Sequence, residues 1–60
     1  DLDIQRAREI ATSSVMANVI YNGTRVYIES VNENSGTAYI HPLHQPEKRQ
    51  EVPLTSLIEQ

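Results

Sequence analysis

The apolar residues at the start of the chain recur with the spacing of an α-helix, at positions i, i+3, i+6 and i+7. These residues are Ile4, Ala7, Ile10 and Ala11. Asp3 precedes them as an N-cap, because its carboxylate can accept hydrogen bonds from the free N–H groups of a first helical turn. The pattern predicts a helix over residues 3–12, ended by the hydroxyl residues 12–14. A helix this short is marginal alone in water, so its apolar face must pack on the rest of the chain.

Farther along, the period changes from that of a helix to the two-residue period of a β-strand. Residues 19–21 and 25–28 are rich in β-branched and aromatic side chains. Asn22-Gly23 lies between them and predicts a β-hairpin, because both residue types tolerate the positive φ of a type I′ turn. Alternation in the second strand predicts two faces. One carries Val26, Ile28 and Ser30, and the other carries Tyr27, Glu29 and Val31.

The second half of the chain contains further strand and turn signals. A turn over residues 32–36 closes on a glycine and leads into an alternating third strand over 37–41. A polar loop with two prolines follows over 42–49, then a short fourth strand over 50–52 that ends before Pro53. The last residues are expected to form a 3₁₀ turn or a very short strand. The apolar residues expected to close the core there are Leu54, Leu57 and Ile58.

Together these elements predict a mainly β protein, with a short N-terminal helix followed by a curved antiparallel meander. Such a meander closes most economically as a small SH3-like partial barrel, with the helix covering one open end. The 60 residues are expected to form one small domain, 1–60, with the helix at about 3–12 and the β-rich module at about 17–58. The absence of cysteine fits a reducing, intracellular setting. No apolar run approaches the roughly 20 residues that span a bilayer, so no membrane contact is expected.

The sequence contains no residue pattern that predicts catalysis, and we expect no enzyme activity, cofactor or metal. His41 and His44 lie three residues apart, but a proline separates them and Glu47 is the only further ligand nearby. They are expected to be solvent-facing loop histidines. Glu29 and Glu33 bracket a turn and are expected to be solvated. No serine lies in a nucleophile elbow, and both glycines are accounted for by turns.

The aromatic and basic residues are the candidates for a binding surface. Tyr27 and Tyr39 fall on the sheet face opposite the core, where together with Arg25 they could form a platform for stacked nucleic-acid bases. The same tyrosines could instead stabilise the sheet by cross-strand packing. Arg6 and Arg8 on the helix could contact phosphate, or could contribute only to solubility.

Net charge and sheet edges limit the choice of partner. Eight acidic residues against five basic ones give a net charge of −3, which argues against a protein that coats phosphate backbones. A local basic face is still compatible with this charge, including one at Lys48-Arg49. An SH3-like nucleic-acid-binding module therefore stays an alternative. Self-association through an exposed sheet edge is another, because the fourth strand is short.

Ordered stretches along nearly the whole chain resemble one family, the H-type small acid-soluble spore proteins. The opening run is similar to the family's typical Ile-x-Arg-Ala-basic-x-Ile. The matching residues are 3–10, 19–23, 26–32 and 36–43, with Ser13, Ser14, Met16, Pro46, Val52, Leu57 and Glu59. The chain departs from the pattern at the basic pair Lys48-Arg49, where an acidic stretch is common, and at Ser35-Gly36.

This resemblance implies a minor, non-enzymatic protein of the spore core that is made in the forespore. It implies no ligand or partner, because the molecular role of the family is not established. The α/β-type spore proteins that coat DNA look unrelated to this family, so their activity is not carried over to this chain.

Overall fold

The computed structural model describes residues 2–13 and 17–60. Ser14, expected to help end the helix, and Met16 of the family pattern lie outside the described residues. The elements are α1 (Ile4–Thr12), β1 (Val19–Tyr21), β2 (Thr24–Asn32), β3 (Thr37–Pro42), β4 (Gln50–Pro53), a 3₁₀ turn (Leu54–Ser56) and β5 (Leu57–Glu59). The chain is therefore mainly β with one short helix, as the hydrophobic pattern predicts.

Helix α1 begins at the expected cap. The Asp3 carboxylate accepts a hydrogen bond from the backbone N–H of Arg6 at 2.7 Å. Leu2, immediately before the cap, is buried together with Ala7 in the core. This arrangement has the spacing of a hydrophobic staple, which fixes the direction in which the chain enters a helix. The Leu2 N–H also donates to the carbonyl of Leu54 at 3.2 Å, so the start of the chain is tied to the 3₁₀ turn.

The apolar face of the helix differs at its first residue from the expectation. Ala7 and Ile10 are buried and Ala11 packs against them, but Ile4 is 37% exposed. Leu2 supplies the apolar contact at this end of the helix, and Ile4 in the first turn is left at the rim. The prediction of a core position for Ile4 is wrong.

The β1–β2 hairpin forms at Asn22-Gly23, as predicted. Asn22 has φ 53° and Gly23 has φ 81°, the two positive values that a type I′ turn requires. Tyr21 pairs with Thr24 across the turn, and Val19 pairs with Val26. Strand β2 thus begins one residue earlier than the alternation indicates.

The five strands form one antiparallel sheet in the order β4-β3-β2-β1-β5. In a flat sheet the outer two strands would lie about 19 Å apart, four strand spacings. Yet Pro53 at the end of β4 and Leu57 at the start of β5 are four residues apart, at most about 15 Å of chain. The sheet is accordingly curled into a half-barrel, which is compatible with the expected SH3-like barrel.

A β-bulge in β2 reverses the predicted alternation halfway along the strand. Ile28 pairs with Ile40, but Ser30 pairs with Tyr39, so Glu29 is an extra residue without a direct partner. Beyond it, Ser30 is exposed and Val31 packs against the core, opposite to the expectation for both residues. A bulge also bends its strand and increases the local twist, which favours the curl of the sheet.

The core lies between the inner face of the half-barrel and helix α1. Its buried residues are Leu2, Ala7, Ile10, Val19, Val26, Ile28, Ala38, Ile40, Val52, Leu54 and Leu57. Leu54 and Leu57 close the core as predicted, but Ile58 is 53% exposed and pairs with Ile20 on the outer face. Strand β5 alternates, so Leu57 and Ile58 cannot both face inward.

Candidate binding surface

The outer face of the sheet carries both predicted surface tyrosines. Tyr27 on β2 and Tyr39 on β3 are 37% and 40% exposed. The ring that lies against Tyr27 is that of His41, directly opposite on β3, with centroids 5.4 Å apart and planes tilted by 39°. Tyr39 lies two residues before His41 and faces Ser30 across the bulge. The two tyrosines therefore share a face, with His41 beside Tyr27.

The bulge residue Glu29 is the centre of a small charged cluster on this face. Its carboxylate contacts Nδ1 of His41 at 2.5 Å through one oxygen and Nε of Arg49 at 2.9 Å through the other. Both Glu29 and His41 are half-buried. The cluster joins β2, β3 and the residue before β4, so it fixes the end of the β3–β4 loop to the sheet.

This cluster corrects two expectations. His41 lies in β3, as the strand predicted over 37–41 requires, and contacts both Tyr27 and Glu29, so the expectation of a solvent-facing loop histidine is wrong for this residue. Glu29 was expected to be solvated, but the bulge turns its side chain toward His41 and Arg49. His44 is exposed in the loop, as expected. In residues 2–13 and 17–60, no group of three or more potential ligands is arranged to hold a metal ion.

The two helix arginines are engaged in ion pairs away from the tyrosines. Arg6 donates from Nε to Glu59 on β5 at 2.7 Å and contacts Glu9 at 3.1 Å. The hydrogen bonds from Arg6 hold the pKa of Glu59 below its usual value, and the carboxylates of Glu59 and Glu9 raise the pKa of Arg6. Arg8 contacts Glu33 in the β2–β3 turn at 3.3 Å. The two contacts tie the helix to β5 and to the β2–β3 turn.

Arg25 is the predicted basic residue that has no carboxylate partner in the described part of the chain. It lies two residues before Tyr27, and so on the same outer face of β2. Its side chain borders a groove of about 550 Å³ between the hairpin turn and the start of the β3–β4 loop. Leu43 and His44 also line this groove.

The five predicted contact residues thus separate into two groups. Arg25, Tyr27 and Tyr39 share the outer face, while Arg6 and Arg8 lie on α1 and already contact carboxylates. The i,i+3 pair Arg6–Glu9 is a contact that helical spacing could have revealed. The Glu29–His41–Arg49 cluster and the Arg6–Glu59 pair join residues distant in sequence, and no local pattern indicates them.

Fold and surface together define a small helix-capped β half-barrel that offers a face for binding or packing. No helix in the described ranges is long and apolar enough to cross a membrane. The chain belongs to the small acid-soluble spore protein H family, because the family model matches residues 2–59.

Curated relatives agree with this assignment over nearly their whole length. The chain is 57% identical over 58 residues to small, acid-soluble spore protein H 2 of Geobacillus thermodenitrificans and to H 1 of Geobacillus kaustophilus. Each match covers 97% of this chain and 97% of the relative. The protein of the same family from Bacillus subtilis is 52% identical, with 97% of this chain and 98% of the relative covered. No solved structure matches this chain. The resemblance stated from the sequence is confirmed, and the protein is associated with the spore.

Proposed function

We propose that this chain is a minor, non-enzymatic protein of the spore core, made in the forespore, that persists through dormancy as a compact module. The observation that carries the proposal is the family match over residues 2–59, together with relatives named as small, acid-soluble spore proteins. A protein of this role needs a stable fold more than a reaction centre. The charged side chains described above are consistent with that need.

Most of the ion pairs in the described ranges join segments that are distant along the chain. Arg6 binds Glu59, Arg8 binds Glu33, and Arg49 binds Glu29. Exposed ion pairs of this kind each contribute little, because solvent screens the charges and holding two long side chains in one geometry costs entropy. They act on a domain whose core supplies about 3–5 kcal/mol, so several weak contacts matter. Their use in holding the helix, a turn and a loop supports a structural assignment of these residues.

The abundance of the protein across sporulation tests this proposal. The measurement is quantitative mass spectrometry of vegetative cells, isolated forespores and the core fraction of mature spores. We expect the protein in the forespores and in the core fraction, and not in vegetative cells. A constitutive protein of spore formers, such as a ribosomal protein, serves as the control for recovery from each fraction. Steady abundance in vegetative cells would contradict the proposal.

The exposed outer face favours a second candidate function, the binding of single-stranded nucleic acid. Tyr27 and Tyr39 offer aromatic surface, and Arg25 beside Tyr27 has no carboxylate partner in the described ranges. Stacking of bases on such side chains is tolerant of sequence. With Arg6, Arg8 and Arg49 paired, the phosphate contacts would fall mainly on Arg25 and Lys48. Two phosphate contacts predict that the binding constant falls only slowly with salt. The expected slope of its logarithm against the logarithm of the salt concentration is about −1.4 for a single strand.

Titration of the ¹⁵N-labelled protein with a single-stranded oligonucleotide at about 50 mM salt tests this candidate. Amide shifts are expected to concentrate at Arg25, Tyr27 and Tyr39, and Arg25→Gln is expected to weaken them. Arg8→Gln is the matched control and is expected to leave them unchanged. Shifts that are absent, or that are centred on α1, would contradict nucleic-acid binding by this face.

A further inference from the structure

Strand β4 forms one edge of the sheet, and no described strand pairs with its outer side. From the geometry of this edge we propose that a second copy of the chain adds its own β4 antiparallel to it, about a two-fold axis at Gln50. The partner would thus be another molecule of the same protein, and the result a dimer with a continuous sheet.

One backbone hydrogen bond determines which groups of β4 face outward. The Leu54 N–H donates to the Gly36 carbonyl at 3.0 Å, and these residues extend the register in which Thr37 faces Pro53. In an antiparallel ladder, hydrogen-bonded and non-hydrogen-bonded pairs alternate. The Val52 and Gln50 backbones therefore bond to β3. The backbone groups of Glu51 and Pro53 point away from β3, to the unpaired side of β4. Continued alternation gives the backbone groups of Arg49 the same direction.

The positions of two prolines and a second hydrogen bond support this assignment of the bonded and outward-facing backbone groups. Pro53 has no N–H, and it occupies a position whose backbone nitrogen faces away from β3. On the other side of β3, the same alternation makes Tyr27–His41 a hydrogen-bonded pair and Val26–Pro42 a non-bonded one. The Leu43 N–H then donates to the Arg25 carbonyl, as observed at 3.4 Å.

Charge and hydrogen bonding select one register for two antiparallel β4 edges. With Gln50 on the axis, Arg49 of each copy lies opposite Glu51 of the other, and both pairs can exchange main-chain hydrogen bonds. Shifting the axis to Glu51 or to Arg49 sets like charges directly opposite each other, which destabilises a sheet. Shifting it to Val52 brings Pro53 into the bonded pairs, where it lacks a donor.

The side chains that would meet in this register already lie on one face. Glu51 is opposite Tyr39, and its carboxylate accepts a hydrogen bond from the Thr37 hydroxyl at 2.5 Å. Arg49 is held toward the outer face by Glu29 at 2.9 Å. Directly opposite residues in a sheet share a face, so each Arg49 would reach Glu51 of the second copy. Both side chains are thus already directed to the face on which they would meet.

The other sheet edge is less available. The backbone N–H of Leu57 at the start of β5 already donates to the Leu54 carbonyl. The Glu59 side chain on this strand is bound by Arg6 of the helix. β5 also has only three residues, so it offers fewer free groups than β4.

Charge-swap variants test the proposed dimer by sedimentation equilibrium from about 10 µM to about 1 mM, a range that suits small transient interfaces. Arg49→Glu and Glu51→Arg each set like charges opposite one another at both ends of the register. Each alone is expected to raise the dissociation constant at least about tenfold. An equimolar mixture of the two is expected to dimerise again, because each variant then complements the other.

Arg8→Glu is the matched control, since it makes the same change of charge as Arg49→Glu but lies on α1 away from the edge. It is expected to leave association unchanged. Far-ultraviolet circular dichroism of every variant checks that the fold is retained, and Glu51→Arg keeps the Arg49–Glu29 contact intact. A wild-type chain that is monomeric at about 1 mM would overturn the proposal. So would a dimer that both swaps leave unchanged, or a mixture that does not recover association.

Discussion

Replacing Leu57 by alanine is expected to leave a large fraction of the protein unfolded at 25 °C. Leu57 is 0% exposed and begins the strand that closes the half-barrel, opposite Tyr21 on β1. Truncating a buried leucine costs about 2–5 kcal/mol, through lost apolar burial and the cavity left behind. A core of this size supplies only about 3–5 kcal/mol. Urea denaturation followed by circular dichroism, with amide dispersion in an NMR spectrum, measures the loss.

The neighbouring residue provides the control. Ile58 is 53% exposed on the outer face, so Ile58→Ala removes side-chain atoms about half of whose surface is already in water. We expect its cost to stay below about 1 kcal/mol, the usual range for substitutions outside the core. Equal destabilisation by the two variants would contradict the inward direction of Leu57 and the outward direction of Ile58.

The same two residues illustrate where sequence reasoning succeeds and where it does not. An alternating pattern fixes faces only relative to one another, and a three-residue strand gives too few positions to choose which face is buried. The Asn22-Gly23 hairpin was predictable because its cause is local, namely two residues that tolerate positive φ. The type of each element, likewise, follows from the period of its apolar residues.

The bulge at Glu29 has no such local cause. It exists because β2 pairs with β3 in two registers that differ by one residue, and the partners of Ser30 and Ile28 are nine and twelve residues away along the chain. A regular alternation therefore placed Ser30 inward and Val31 outward, and the structure reverses both. The contact of Glu29 with His41 and Arg49 depends on this bulge, so the centre of the outer face could not be predicted either.

At the helix, the sequence predicted the element and most of its buried face but not its first apolar contact. A helical wheel that starts at the first helical residue assigns Ile4 to the core. The chain before the N-cap can also turn inward, and here Leu2 does so while Ile4 is at the rim. The candidate arginines show a similar limit. Position on a helix predicted exposure correctly for Arg6 and Arg8, but not the distant carboxylates that hold them.

Ile10→Ala is expected to destabilise the whole domain by about 2–4 kcal/mol, and not only to loosen the helix. Ile10 is 8% exposed and belongs to the same core as Val26 and Ile28 of the sheet. A nine-residue helix is marginal in isolation, so α1 is stable only while this face is packed. The sheet in turn relies on the helix, because its inner face would otherwise be in water. Thermal unfolding followed separately by helix ellipticity and by tyrosine fluorescence is expected to give one shared, lowered midpoint.

Ile4→Ala is the matched control, because Ile4 lies on the same helix but is 37% exposed. Alanine also has a higher helix propensity than isoleucine, which partly offsets the lost contact, so a change below about 1 kcal/mol is expected. If Ile10→Ala abolished the helix signal while the sheet kept its wild-type midpoint, α1 would be an appendage to an independently stable sheet. The shared midpoint is expected instead, because Leu2 and Arg6 tie the N-terminal half of this segment to Leu54 and Glu59. Helix and sheet would then unfold as one cooperative unit.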